Sequence, residues 1–134
     1  MEDRRTWGYY LEMFDHPLED YAAHRVPEVL ALAGTERATW WRNVHRDRDD
    51  LTRVLPEFSH LAVYEIGPEF AAPTQRPEWI VGAHHFRHTP RPGQGNISGK
   101  PTIGLSLVLI SPRDDDRAQD LRDWGDFVHI RHIA

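Results

Sequence analysis

The sequence predicts an α+β domain, in which strands and helices follow one another along 134 residues. Residues 7–14 (WGYYLEMF) form an alternating apolar run that is typical of a half-buried strand. Pro17 suits the first turn of a helix, because its missing N–H would have no partner there. Apolar residues then recur near a 3.6-residue period from Leu18 to Ala33, and Gly34 can close this helix. Strand, short turn and amphipathic helix are the first half of an α+β unit.

Three further elements are predicted in the middle of the chain. Residues 35–45 (TERATWWRNVH) indicate a second strand, and residues 60–66 (HLAVYEI) indicate a third. The charged segment 46–50 between them is expected to be a solvated loop. Gly67-Pro68 ends the third strand, and residues 74–85 then favour a second helix.

The last third of the chain is predicted to hold a loop, a strand and a helix. Residues 87–101 are rich in Pro and Gly, which indicates a loop. Residues 102–110 (TIGLSLVLI) are the most apolar run and give the best strand prediction. A final helix is expected from about Asp116 to the C-terminus, after acidic residues that suit its first turn.

These elements are assigned to one domain over residues 1–112, with residues 113–134 as a C-terminal helix that packs on it. Residues 6–11 (TWGYYL) and 102–107 (TIGLSL) share Thr, Gly and Leu at matching positions, and both runs precede a proline and a helix. The similarity leaves open a second possibility, that the C-terminal part begins an incomplete second repeat.

Composition argues against several classes of function. A net charge of −5 argues against a nucleic-acid binder, because such domains usually carry a basic surface. The chain has no cysteine, which excludes disulfides, zinc–thiolate sites and a thiol nucleophile. An apolar run of about 18 residues is missing and the N-terminus is charged, so neither a membrane span nor a secretory signal is expected. We therefore expect a soluble, cytoplasmic protein.

The predicted order of strand, helix, strand, strand, helix, strand is the ferredoxin-like plan. Within it, residues 21–42 (YAAHRVPEVLALAGTERATWWR) resemble the EthD-like branch of the dimeric α/β-barrel proteins. The residues that carry this resemblance are Tyr21, His24, Val26, Pro27, Leu30 and Gly34. Arg25 stands as one additional residue between His24 and Val26-Pro27. Residues 60–66, 77–79 and 123–130 are also similar to segments of that family, with Trp124 five residues before His129.

The resemblance implies a sheet with helices on one face, which dimerises through its other face into a barrel. Activities found in the wider superfamily include cofactor-free monooxygenation, polyketide cyclisation, isomerisation and, in distant branches, haem chemistry, whereas the role of the EthD-like branch is mostly undefined. A homodimer that needs no cofactor and binds a hydrophobic small molecule is therefore expected.

The leading hypothesis is a cofactor-free enzyme that acts on a hydrophobic, cyclic or aromatic metabolite. His24 or His129 would move a proton, because imidazole titrates near neutral pH, and Tyr64 would complete the catalytic set. Aromatic side chains with a polar end would line the pocket. The candidates for this lining are Tyr10, Tyr21, Trp41, Trp79 and Trp124.

Two alternatives remain open. A metal could be bound by clusters with helical spacing, His84/His85/His88 or Asp126/His129/His132. The protein could instead be a non-catalytic, dimeric ligand-binding module. Each candidate also has a purely structural explanation: histidines at the polar edge of a helix or near a loop, and aromatic rings in a core or a dimer interface.

Overall fold

The computed structural model describes residues 6–44, 56–88, 104, 105, 107 and 114–124. The chain divides into two compact units, Met1–His88 and Thr89–Ala134. The first unit contains the sheet and the longest described helix, and the second contains a short helix.

The described part of the first unit has four strands and one helix. The helix consists of three consecutive segments. The strands are β1 (Gly8–Phe14), β2 (Thr35–Arg42), β3 (His60–Ile66) and β4 (Ile80–Arg87). The helix comprises α1 (Leu18–Asp20), a π-helical turn (Tyr21–Arg25) and α2 (Val26–Leu30), and we refer to all three as the 18–30 helix.

The four strands form one antiparallel sheet with the order β2-β3-β1-β4. In its register, Tyr10 of β1 lies opposite Tyr64 of β3 on one side and His85 of β4 on the other. An antiparallel sheet and helices in one chain make the fold α+β, as predicted.

Side chains alternate between the two faces of the sheet, because successive residues of a strand point in opposite directions. On the helix side, Tyr10 and Phe14 of β1 pack with Tyr21, Val26 and Val29 of the 18–30 helix. The core on this side also takes Ala62, Tyr64 and Ile66 from β3 and Ile80 from β4.

The opposite face of the sheet, called here the far face, has a smaller apolar cluster. Leu11 and Met13 of β1 and Leu61 of β3 are buried in this cluster. Tyr9 and Val63 pack against them and are partly buried.

The predictions for the first three strands are confirmed, with β3 at the predicted bounds and β2 ending at Arg42. The 18–30 helix ends at Leu30, before Gly34, and Gly34 instead precedes β2 with a φ of +81°.

The predicted helix over residues 74–85 is wrong. Residues 67–79 contain neither helix nor strand, and Ile80–Arg87 is strand β4, paired with β1. Three prolines, Pro68, Pro73 and Pro77, work against a helix in the connecting segment. The backbone of residues 80–87 forms a ladder with β1, and these long-range hydrogen bonds outweigh the local helical pattern.

In the second unit, a 3₁₀ turn (Asp115–Arg117) leads into helix α3 (Ala118–Trp124). The predicted final helix is confirmed over this range, and its continuation after Trp124 lies outside the described residues. The predicted strand over residues 102–110 also lies outside them, apart from Gly104, Leu105 and Leu107, which have no regular structure. Among the described residues, no helix has the length and apolar character that crossing a bilayer requires.

Candidate functional site

The most unusual side chain in the sheet is the carboxylate of Glu12, which is 0% exposed at the centre of β1. The alternation of β1 places Glu12 on the same face as Tyr10 and Phe14, against the 18–30 helix. A buried carboxylate is costly unless it is paired and hydrogen-bonded. The neighbours of Glu12 therefore decide what this position can do.

Arg25 of the 18–30 helix supplies the opposite charge. Its Nε donates to Oε1 of Glu12 at 3.0 Å and its Nη2 donates to Oε2 at 2.7 Å. This is the two-pronged geometry that makes arginine–carboxylate pairs strong. The Arg25 side chain is itself only 4% exposed, so water screens this ion pair little.

Three tyrosines complete the arrangement, which we call the Glu12 cluster: Glu12, Arg25, Tyr10, Tyr21 and Tyr64. The Tyr10 hydroxyl donates to Oε2 of Glu12 at 2.7 Å, and the Tyr21 hydroxyl donates to Oε1 at 2.8 Å. Tyr21 and Tyr64 are joined by their hydroxyl oxygens at 2.7 Å. Because a tyrosine has one hydroxyl proton, and that of Tyr21 goes to Glu12, Tyr64 is the donor to Tyr21.

The environment of the cluster shifts the pKa values of its three tyrosines. Burial raises the pKa of Tyr10 well above its ordinary value, and the hydrogen bond to Glu12 raises it further. Burial also raises the pKa of Tyr21, with the Glu12 charge acting in the same direction. For Tyr64, burial raises the pKa, and the hydrogen bond with Tyr21 opposes part of that shift.

For Arg25, burial works to lower the pKa, but the hydrogen bonds and charge of Glu12 outweigh burial and hold it above its ordinary value. The guanidinium is therefore charged at any pH at which the protein is folded.

The π-helical turn positions two members of the cluster, because Tyr21 begins it and Arg25 ends it. At its end the N–H of Val26 donates to the carbonyl of Tyr21, five residues back. The next residue, Pro27, has no N–H and would clash with the preceding turn of a regular α-helix, so the wider turn accommodates it. Such π turns occur frequently at functional sites.

Aromatic rings enclose the cluster. Phe14 stacks on Tyr21 with 3.8 Å between ring centroids, and Trp79 meets the same ring edge-on at 5.9 Å. Phe70 contacts Tyr10 with 5.1 Å between centroids. Phe70 and Trp79 both come from the irregular segment 67–79, which therefore covers part of the helix-side face.

The structure brings some of the predicted site residues together. Tyr10, Tyr21 and Tyr64 share one hydrogen-bonded cluster, and Trp79 packs beside it. Trp41 is not part of this group, because it pairs with Leu61 on the far face and donates from Nε1 to Thr39. Trp124 belongs to α3 in the second unit.

His24 is also apart from the cluster. Its side chain is 78% exposed, and its Nδ1 lies 3.0 Å from Oδ1 of Asp20. His16 contacts the other oxygen of Asp20, and this hydrogen bond, followed by the charge of His24, keeps the pKa of Asp20 below its ordinary value. Tyr21 is buried and His24 is exposed to solvent, so the two side chains lie on different faces of the helix. His129, the other predicted proton carrier, lies outside the described residues.

The predicted metal cluster of His84, His85 and His88 rested on helical spacing, and that premise is wrong. His84 and His85 are consecutive residues of β4, opposite Leu11 and Tyr10, so they point to opposite faces of the sheet. In the part of the chain that the structure describes, no three His, Asp or Glu side chains form a group that would hold a metal ion. The second predicted cluster, Asp126, His129 and His132, lies outside the described residues.

Sequence reasoning missed Glu12 and Arg25. One signal was available: Glu12 is an acidic residue inside an otherwise apolar strand, and such a residue needs a buried partner. No sequence rule identifies Arg25 as that partner, because the contact spans 13 residues and depends on the π turn.

Comparison with protein-family models, with curated proteins and with solved structures finds no match to this chain.

Proposed function

We propose that this protein binds a hydrophobic, cyclic or aromatic metabolite between its sheet and the 18–30 helix, and transfers a proton to or from it without a cofactor. The observation that carries the proposal is the Glu12 cluster, five polar side chains joined at one buried point of the core. Clusters of buried titratable groups with perturbed pKa values are concentrated at functional sites.

The surroundings of the cluster suit a ring-containing ligand. Phe70 packs on the ring of Tyr10, and Phe14 and Trp79 pack on the ring of Tyr21. Binding sites for small molecules typically combine such an apolar lining with a few fixed polar groups.

The direction of the hydrogen bonds assigns the roles. Tyr64 donates to Tyr21, and Tyr21 donates to Glu12. If a substrate C–H or O–H gives its proton to Oη of Tyr64, the Tyr64 proton passes to Oη of Tyr21 and the Tyr21 proton passes to Oε1 of Glu12. Both tyrosines end neutral, Glu12 is protonated, and Arg25 keeps its positive charge to balance the substrate anion. Tyr64 and Glu12 thus take the role that the sequence had suggested for His24.

The assignment to the ferredoxin-like, dimeric α/β-barrel type is part of this proposal. Support comes from the antiparallel strand order β2-β3-β1-β4, which is that of a ferredoxin-like sheet, and from the 18–30 helix on one face. Segment 67–79 would stand where that fold has its second helix. The extra Arg25 coincides with the π turn, which holds one residue more than an α-helical turn.

The test is solvent deuterium exchange into 2-tetralone, a hydrophobic cyclic ketone with acidic C–H bonds beside its carbonyl. We expect the protein to accelerate this exchange, and Tyr64→Phe to lower the rate about 100-fold or more, because a positioned acid–base group contributes that much. The measurement is the rate of loss of the α-proton signals in the NMR spectrum.

Tyr9→Phe is the matched control, because it removes the same hydroxyl from the far face of the same sheet. It should leave the exchange rate unchanged. Binding of 2-tetralone without exchange would identify a non-catalytic ligand-binding module instead, and a protein that neither binds 2-tetralone nor accelerates exchange would contradict the proposal.

A further inference from the structure

The guanidinium of Arg25 donates hydrogen bonds from two of its edges. The edge formed by Nε and Nη2 is committed to Glu12, with both bonds buried. The other nitrogen, Nη1, donates to Oε1 of Glu28 at 2.9 Å. Arg25 therefore connects the interior of the core to a second carboxylate.

Glu28 differs from Glu12 in its exposure. Its side chain is 67% exposed, whereas that of Arg25 is 4% exposed. An ion pair with one partner in water is worth little, because solvent screens it and a long side chain must be held in place. The buried bonds of Arg25 to Glu12 are far harder to break. A competing carboxylate would therefore displace Glu28 and leave Glu12 in place.

A second cation acts on the same part of the core. Arg76 of segment 67–79 lowers the pKa of Tyr10 through its charge, as Arg25 does. The charge of Glu12 acts on Tyr10 in the opposite direction and more strongly than either arginine, and Phe70 packs against the Tyr10 ring. The positive group that a ligand anion can reach is therefore Nη1 of Arg25, whose partner Glu28 is exposed.

We propose that the Nη1 edge of Arg25 is a carboxylate-binding subsite, which Glu28 occupies in the free protein and which a ligand carboxylate takes over. The ligand would be a hydrophobic carboxylic acid, with its ring system against the aromatic side chains and its carboxylate on Arg25. This inference rests on the proposed function and adds the charged group that the ligand carries.

The experiment compares 2-naphthoate with 2-naphthamide, which has the same ring system and shape but no charge. Binding of each is measured by calorimetry for the unaltered protein and for Glu28→Gln. We expect 2-naphthoate to bind more tightly than 2-naphthamide. We expect Glu28→Gln to strengthen 2-naphthoate binding about two- to five-fold, the worth of an exposed ion pair, and to leave 2-naphthamide unchanged.

Glu19→Gln is the matched control, because it removes the same charge from an exposed position of the same helix. It should change neither affinity, which separates competition for Arg25 from a general charge effect. The side-chain N–H resonances of Arg25 provide a second measurement, since 2-naphthoate should shift them and 2-naphthamide should not.

Equal affinity for the two probes, or an equal effect of Glu19→Gln and Glu28→Gln, would overturn the carboxylate subsite and leave the proposed function standing. Failure of both probes to bind to any of these proteins would overturn the subsite and the proposed ligand class together.

Discussion

A single residue, Glu12, determines the polar chemistry of the helix-side core. Its carboxylate accepts four hydrogen bonds, two from Arg25 and one each from Tyr10 and Tyr21. Removing one partner of a buried ion pair leaves the other charge uncompensated, which typically costs about 3–5 kcal/mol. The hydroxyl of Tyr64 is different, because it donates only to a neutral neighbour and can be removed without stranding a charge.

The raised pKa values of the three tyrosines predict that the protein loses stability at alkaline pH. Tyr10, Tyr21 and Tyr64 have raised pKa values in the folded protein, so their stabilising contribution is fully present below the unfolded tyrosine pKa of about 10. Above that pH the unfolded chain releases protons that the folded protein retains. Each such group makes the free energy of unfolding fall by about 1.4 kcal/mol per pH unit.

We therefore expect urea unfolding followed by circular dichroism to show a steep loss of stability between about pH 10 and pH 11.5. Tyr64→Phe should reduce this slope by about one third, since it removes one of the three retained protons. A slope that Tyr64→Phe leaves unchanged would show that Tyr64 ionises as readily in the folded protein as in the unfolded chain.

At the scale of elements, the junction between the 18–30 helix and β2 depends on Gly34. Its φ of +81° lies in the left-handed region, which side-chain-bearing residues disfavour. Its carbonyl accepts a hydrogen bond from the N–H of Gly67 at 2.7 Å. A Cβ at this position would lie only 2.6 Å from the backbone nitrogen of Phe70, in the segment that covers Tyr10.

Gly34→Ala should accordingly destabilise the protein by about 2 kcal/mol or more, through backbone strain and displacement of Phe70. Gly82→Ala in β4 is the control, because its nearest contact would be the Met13 sulfur at an ordinary 3.5 Å. Thermal unfolding of the two variants checks this prediction. A Gly34→Ala variant as stable as Gly82→Ala would contradict it.

At the scale of the whole molecule, the proposed fold type predicts that two chains associate. The proposed barrel type pairs two sheets through the face that carries no helix. Phe86 of β4 pairs with Tyr9 on the far face, is 45% exposed and packs against the Tyr9 ring. Trp40 of β2, 41% exposed, lies opposite Ala62 on the helix side. A substitution at Phe86 therefore tests the far face, and a substitution at Trp40 tests the helix side.

We expect the protein to sediment as a dimer and Phe86→Glu to weaken the dimer at least 100-fold, because a charge without a partner would enter an apolar interface. Trp40→Glu, which places the same charge on the other face, should leave the dimer intact. Analytical ultracentrifugation over a range of concentrations measures both. A monomer, or a dimer that only Trp40→Glu disrupts, would contradict association through the far face.

Sequence reasoning recovered the strands that have a clear local pattern and failed where long-range pairing decides. Residues 60–66 (HLAVYEI) are rich in apolar, β-branched and aromatic side chains and are followed by Gly67, and β3 has those bounds. Residues 80–87 (IVGAHHFR) lack such a run, because a glycine and two histidines interrupt it, and their strand conformation comes from hydrogen bonds to β1. Tyr10, Tyr21 and Tyr64 were predicted for one site, but so were His24 and Trp41, which lie apart from the tyrosines. Arg25 was seen only as an extra residue in the helix.

The sequence by itself determined the α+β class, the position of β1 to β3 and the start of the first helix, because these follow from side-chain periodicity and from Pro17. Only the tertiary structure decided that β4 replaces a helix and that Glu12, Arg25 and three tyrosines meet in the core. The physical reason is that a buried charge is stabilised by whatever partner the fold brings within hydrogen-bonding distance. The distances between Glu12 and its partners depend on the π turn and on the strand order. Neither of these can be predicted from a short stretch of the sequence.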